Sequence, residues 1–207
     1  MPGTPVLDRS QRAELARATR REEILAAARR VFAARGFRGT TIADIAEDAQ
    51  IALGTIYLYF PSKESLFAAL NQRFQEMLAE GLTDVPAAGS LDETVRLRVD
   101  NVFAVCGENR DLVRLVVLNT DPGSDVAQRI RKADDARARP MVRALEQAME
   151  RDLIRRADPC TVTRLITGLV SFAVYQAFVV SDGKDAHKYR QACADMITAY
   201  LAPVHQA

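Results

Sequence analysis

The 207-residue sequence holds no tryptophan, only two histidines and only three cysteines. His187 and His205 both fall near the C-terminus, and Cys106, Cys160 and Cys193 are far apart with no CxxC pair. Zinc ribbons and fingers need paired ligands at short spacing, so this pattern excludes them. An odd, scattered set of thiols is no disulfide framework either, and buried reduced thiols are the ordinary reading. No nucleophile–base pair and no glycine-rich phosphate loop stands out. The sequence therefore predicts no enzyme: no catalytic residues, no metal site and no cofactor. The alternation that marks strands is missing as well. The longest apolar stretch, residues 165–180, is interrupted by Gly168, Ser171 and Gln176 and reads as too short to span a bilayer. The first residues, Pro2, Gly3 and then charged positions, do not read as a leader. A cytoplasmic protein with no membrane partner is expected.

The hydrophobic fraction of 48% supplies a core and argues against disorder. The net charge of +1 says nothing about nucleic acid, but its distribution does. Nine arginines lie between Arg9 and Arg38, against Glu14, Glu22 and Glu23. Residues 39–60 carry Asp44, Glu47 and Asp48 and no cation. Basic charge is thus concentrated on the N-terminal segment and the first helix, although such runs also occur as plain solvated faces.

The first residues, with Pro2, Gly3 and Pro5, read as a flexible basic arm, taken to residue 17. From Ala18 the pattern is helical, with Ile24, Ala28, Val31 and Phe32 on one stripe. Gly36 suits the left-handed position after the helix, and Phe37 can fold back on its last turn. Thr40 or Thr41 then caps a second helix, and Thr41 with Asp44 approximates a capping box. A turn at Gln50-Ile51-Ala52 leads to a third, short helix over 53–59. A long helix followed by two short ones across a three-residue turn is the helix-turn-helix plan.

That plan explains the tract "IALGTIYLYFPSKESLF", residues 51–67, where aromatics crowd in an otherwise aromatic-poor chain. Helical spacing sends Ile56 and Phe60 inward, leaving Leu53, Thr55, Tyr57, Leu58 and Tyr59 on other faces. Gly54 allows close approach of the backbone to a partner. Pro61-Ser62 opens the next helix, and Lys63 in its first turn suits a phosphate. The tyrosine hydroxyls can donate to phosphate oxygens.

Residues 36–67, "GFRGTTIADIAEDAQIALGTIYLYFPSKESLF", resemble the DNA-binding domain of the TetR (tetracycline-repressor) family. The shared pattern is a Gly-aromatic step, Thr before a short Ile-Ala helix, Gly-Thr-x-Tyr-x-x-Phe, and Ser-Lys-Glu-x-Leu. The resemblance implies that Thr41, Thr55, Tyr57, Tyr59 and Lys63 touch DNA. Thr40 and Ala52 at the two helix starts, with Leu53, Gly54 and Leu58, complete the candidate DNA-binding set. Three positions depart from the family: Gln50 where Gly is common, Ala52 where Ser is common, and Tyr59 where His is common. The helix 53–59 carries no Arg, Lys, Asn or Glu, so bidentate reading of a base is not open to it. Leu53 and Leu58 on thymine methyl groups are the expected alternative.

The remainder reads as helical. A stripe of Leu66, Phe67, Leu70, Phe74, Met77 and Leu78 runs along residues 62–80. A linker is expected at 83–89, and Ser90 to Glu93 forms a capping box opening the next helix. A loop is expected at Asp121-Pro-Gly-Ser, a break or kink at Pro140, and a helix start at Asp158-Pro159. Helices at 161–180 and 185–201 end the chain. The fold class is all-α with about nine helices. An N-terminal helix-turn-helix domain covers 18–64, and the resemblance implies that the larger helical domain, 65–207, binds ligand and dimerises.

Residues 161–180 are apolar nearly all round and must be covered on several sides. Leu165, Leu169 and Phe172, with Met196 and Tyr200 of the last helix, are the candidate dimer interface. A monomer core fits the same stripe. Phe103, Met141, Leu145, Phe172, Tyr175 and Gln176 are the candidate effector pocket, where an ordinary core is the alternative. The resemblance implies a homodimer on double-stranded DNA with a palindromic operator, released by a small apolar or amphipathic effector. A helical protein-interaction module, or an effector-independent DNA-binding protein, is the alternative reading.

Overall fold

The computed structural model describes residues 8–83, 89–119 and 125–203. These form nine α-helices and one π-helical turn, with no strand among the described residues. The expected linker at 83–89 and the loop at 121–124 fall largely outside them. Compact units divide at Asn71 and Gln72, rather than at the expected boundary of 64 and 65.

In the first unit, helix α1 spans Arg9–Arg35. It begins nine residues earlier than its apolar stripe suggests, so residues 9–17 are helical and not an arm. The cause is a capping box built from Asp and Gln instead of the commoner Ser/Thr and Glu. Asp8 accepts from the Gln11 backbone at 2.8 Å, and the Gln11 side chain accepts from the Asp8 backbone at 3.0 Å. Ala, Leu, Arg and Glu then carry the helix forward on propensity. Its core face is Ile24, Leu25, Ala27, Ala28, Val31 and Phe32, all buried. Gly36 ends α1 with φ 71° and ψ 164°. This is not the left-handed helical cap expected but an extended positive-φ conformation open essentially to glycine alone. The chain reverses there, and Phe37 packs between Phe32 and Phe67 with ring centroids 5.5 and 5.2 Å apart.

Helix α2, Ile42–Asp48, is fixed by a full capping box between Thr41 and Asp44. Two ion pairs tie it to α1: Arg30 to Asp48 and Arg35 to Asp44, each at 2.6 Å. Such exposed pairs contribute little energy but set orientation. Helix α3, Leu53–Tyr59, inserts Ile56 and is closed by buried Phe60. Helix α4, Lys63–Thr83, contributes Leu66, Phe67 and Leu70 to this unit's core and Phe74 to the second's.

In the second unit, α5 (Leu91–Glu108) starts at the Ser90 cap. It lies antiparallel to α9 (Ala186–Leu201), since Arg96 reaches Asp195 at 2.7 Å while Asp100 accepts from Arg190 at 3.3 Å. Helix α6 is Arg110–Asn119. Helix α7, Asp125–Glu150, runs through Pro140 without ending there. Proline removes one hydrogen bond, and the turns on either side hold the helix. Helix α8, Pro159–Tyr175, has Asp158 as cap and Pro159 in the first turn. It passes into a π-helical turn, Gln176–Val180, and a tight reversal follows at Gly183, φ 82°. There the Arg110 guanidinium stacks 5.5 Å from the Phe178 ring centroid, and Arg114 pairs with Asp182 at 2.8 Å.

Residues 159–180 form one continuous helical rod of 22 residues, within which an 18-residue window has mean hydropathy 1.5. By length and composition it could cross a bilayer, contrary to the reading of 165–180 alone as too short. It packs instead on helices: α8 meets α7 and α9, and its Val162, Thr163, Ala173 and Val174 are buried. Cys106 and Cys193 are buried free thiols, pushed up to about 12 and about 11 by loss of solvent, which makes them poor nucleophiles.

Candidate nucleic-acid interface

The first unit holds two short helices at the end of a long one, and the second of the two is displayed. On α3, Leu58 is 78% exposed, Tyr57 51% and Leu53 43%. Ala52 and Gly54 are exposed, and Thr55 and Tyr59 are half-buried. One residue, Ile56, anchors the helix with no exposure at all. A helix that buries one side chain and presents two leucines and a tyrosine to water leaves apolar area uncovered. Leu58 does not pack internally.

The turn before α3 is held by Gln50 in the left-handed region, φ 54°. An L side chain there costs roughly 1–2 kcal/mol relative to the ordinary right-handed conformation. Ala52 occupies the cap position and makes no side-chain hydrogen bond. The first backbone N–H groups of α3 therefore lack the usual side-chain acceptor. Around Gly54 a Cβ would meet no protein atom within 4 Å. Its bare backbone faces outward.

The other candidates divide. Thr41 is exposed at the start of α2, and its hydroxyl is engaged with Asp44 at 2.7 Å. Hydrogen bonds from the Thr41 backbone and hydroxyl, with the Arg35 guanidinium alongside, hold the Asp44 carboxyl below the usual carboxylate range. Thr40 is 1% exposed and donates to the Gly36 carbonyl at 2.8 Å. Its side chain is part of the turn and is not available to DNA, which corrects its assignment. Lys63 also turns inward. Its ammonium donates to the carbonyls of Phe37 and Thr40 at 2.8 and 2.9 Å and lies 4.6 Å from the Phe37 ring centroid. It joins α4 to the α1–α2 turn instead of extending toward a phosphate. The helix-start position that suggested an anion site is used to hold two carbonyls of the same domain.

One feature escaped sequence reasoning. Glu14, Arg17, Ala18 and Arg21 of α1 line a groove of about 360 Å³ together with Leu58 and Tyr59 of α3. Arg21 lies 5.1 Å from the centroid of the Phe60 ring. The spacing of 14, 17, 18 and 21 continues the stripe of Leu25 and Ala28, and was the available signal.

In the second unit the candidate dimer residues fall largely on one surface. Leu165 and Leu169 of α8 line an apolar groove of about 290 Å³ with Met196 and Tyr200 of α9, beside Val162, Ile166 and Ile197. Leu165 is 62% exposed and Met196 58%. Phe172, two turns along α8 from Leu165, is 59% exposed. That removes Phe172 from an interior pocket, for which it was also a candidate. Of the other pocket candidates, Phe103 is buried on Phe178 with ring centroids 5.8 Å apart, and Leu145 is buried on α7. Met141, Tyr175 and Gln176 are half-buried. Phe103 and Leu145 are thus core residues.

A three-helix unit with α3 displayed after a tight turn has the helix-turn-helix plan that DNA-binding domains use, here in an all-α chain. Residues 24–70 match the sequence profile of bacterial regulatory proteins of the tetR family. Over those residues the first unit resembles the tetR-family domain. The repressor KstR2 of Rhodococcus jostii is 32% identical over 108 residues, 48% of this chain and 53% of that protein. The chain spans about half the length of the first curated relatives it matches. Among solved structures, GusR of Salmonella enterica superposes with a TM-score of 0.75 at 23% identity, covering 88% of this chain and 95% of its own. FadR of Bacillus subtilis, solved in complex with stearoyl-CoA, gives 0.75 at 20% identity, covering 87% and 98%.

Proposed function

We propose that the protein is a homodimeric transcriptional regulator that represses from a palindromic DNA operator and is released by a small-molecule effector. The observation that carries the reading is α3 itself. Its exposed face offers Leu53, Leu58 and the tyrosine hydroxyls, which suit thymine methyl groups and phosphate oxygens, and the open backbone at Gly54 lets it sit deep in a major groove. Thr41 and Thr55 flank that face.

Dimerisation rests on the α8–α9 groove and on Phe172. An apolar surface of this kind on a lone chain invites cover, and a second copy presenting the same two helices gives an isologous four-helix interface. Two reading heads on a two-fold axis then read an inverted repeat.

The effector reading draws on the relatives. A stearoyl-CoA complex among the structural neighbours favours an acyl or other amphipathic ligand. Met141, Tyr175 and Gln176 are the remaining candidate contacts. Ligand would act by favouring a dimer geometry in which the heads no longer fit successive grooves.

Titration of duplex DNA at rising salt tests this reading. Affinity should fall steeply with salt through counterion release. Leu165→Glu together with Met196→Glu should give a folded monomer that binds the same duplex far more weakly. Salt-insensitive or absent DNA binding by a folded dimer would favour a protein-interaction module instead.

A further inference from the structure

The first four turns of α1 are unusual. From Asp8 to Glu23 every residue is exposed, so this length of helix has no packed face of its own. Short helices without tertiary support are marginal in water. The segment is also strongly basic, with five arginines against one glutamate between residues 9 and 21. Its arginines are not equivalent. Arg20 is paired with Glu23 at 2.6 Å, Arg12 donates to the Asp8 carbonyl at 3.3 Å, and Arg21 is placed over Phe60. Arg17 has no partner among the described residues. It lines the same groove as Leu58, the most exposed large apolar side chain of the first unit, and as Tyr59.

We infer that Arg17 and Tyr59 clamp one DNA backbone phosphate per half-site, with the exposed segment of α1 lying along the wall of the groove that α3 enters. The inference rests on the DNA-binding reading above. A major groove about 12 Å wide admits one helix. A second helix flush with the C-terminal turn of α3 must therefore face the flanking phosphodiester strand. A guanidinium and a phenolic hydroxyl on either side of one groove are matched donors for phosphate oxygens. Arg21, held on Phe60, fixes α1 against the end of α3 so that Arg17 is positioned before DNA arrives. Glu14 lines the same groove and opposes the phosphate. The clamp supplies in backbone affinity what α3 lacks in charged side chains, and it leaves base preference to Leu53 and Leu58.

The test uses the full-length protein and the duplex it enriches from a random-sequence pool, with affinity measured across a salt series. Arg17→Gln should weaken binding about tenfold. It should also flatten the log–log salt slope by about two for a dimer, one phosphate contact per protomer, with the selected sequence unchanged. Arg17→Lys should keep the slope, and Glu14→Gln should tighten binding. Both positions are exposed, and circular dichroism confirms that each of the three variants folds. If wild-type protein enriches a duplex and Arg17→Gln binds it with unchanged slope, the clamp is overturned while the DNA-binding reading stands. A changed base preference in Arg17→Gln also overturns it, by making Arg17 a base reader. If wild-type protein enriches no duplex and binds none, both readings fall together.

Discussion

Lys63 donates to the carbonyl oxygen of Phe37, 26 positions earlier, at 2.8 Å, and its ammonium stands 4.6 Å from the ring centroid of that residue. The second bond, to Thr40, completes a staple between the first turn of α4 and the turn joining α1 to α2. Hydrogen bonds from a charged donor are the stronger kind, and these are partly screened from solvent. Lys63→Met should therefore lower stability by about 1–2 kcal/mol in urea unfolding of the full chain. The salt slope of DNA binding should stay unchanged, since no phosphate contact is lost. A normal unfolding midpoint with a flattened slope would place Lys63 on DNA after all.

Gln50 holds a left-handed conformation that its side chain does not favour. Gln50→Gly removes that strain but frees the unfolded chain, and the two effects partly offset. A net gain of about 0.5–1 kcal/mol is expected. Thermal unfolding followed by circular dichroism measures it, and a loss of stability would mean that the Gln50 side chain contributes packing the turn needs.

Gly54 separates stability from binding. Alanine there meets no protein atom and improves helix propensity, so Gly54→Ala should stabilise the domain by about 0.5–1 kcal/mol. If the bare backbone is pressed against a DNA groove, the same variant should bind its duplex about tenfold or more weakly. Equal affinity in the two proteins would show that α3 is not seated that closely.

The Asp44 carboxylate is stabilised in the folded protein by the Thr41 backbone and hydroxyl, then by Arg35. Its folded value lies below the ordinary one of about 4. The native state therefore holds the proton less readily than the unfolded chain does. The contribution is complete above the ordinary value and is lost as pH falls through the lowered one. Urea midpoints of wild type should drop on acidification from neutral pH to below 4. Asp44→Asn should start lower at neutral pH and drop less. Parallel pH profiles would remove Asp44 from the linkage.

The sequence carried the helix-turn-helix because its signals are local and redundant. Thr41 with Asp44, the glycine at position 36, and the inward pair Ile56 and Phe60 each specify one backbone event, and all agree. Two things were not legible. The start of α1 was hidden because Asp8 and Gln11 form the capping box that Ser/Thr and Glu usually announce. The inward bonds of Lys63 and Thr40 were not legible because a polar side chain in a turn reads alike whether it faces a ligand or the fold's own carbonyls. That choice is made by tertiary contact with Phe37, which periodicity does not report. On α8 the sequence identified an apolar rod but not which residues stay exposed, so Phe172 was placed both inside a pocket and on an interface.

The most direct measurement is selection of random duplex DNA by the purified full-length protein and by its Leu58→Ala variant. A regulator of the kind described enriches an inverted repeat, and the variant loses preference for thymine at one position in each half-site while still recovering the repeat. Enrichment of no sequence by a folded, dimeric wild-type protein would contradict the account. A repeat whose base preferences ignore Leu58 would contradict its reading of α3.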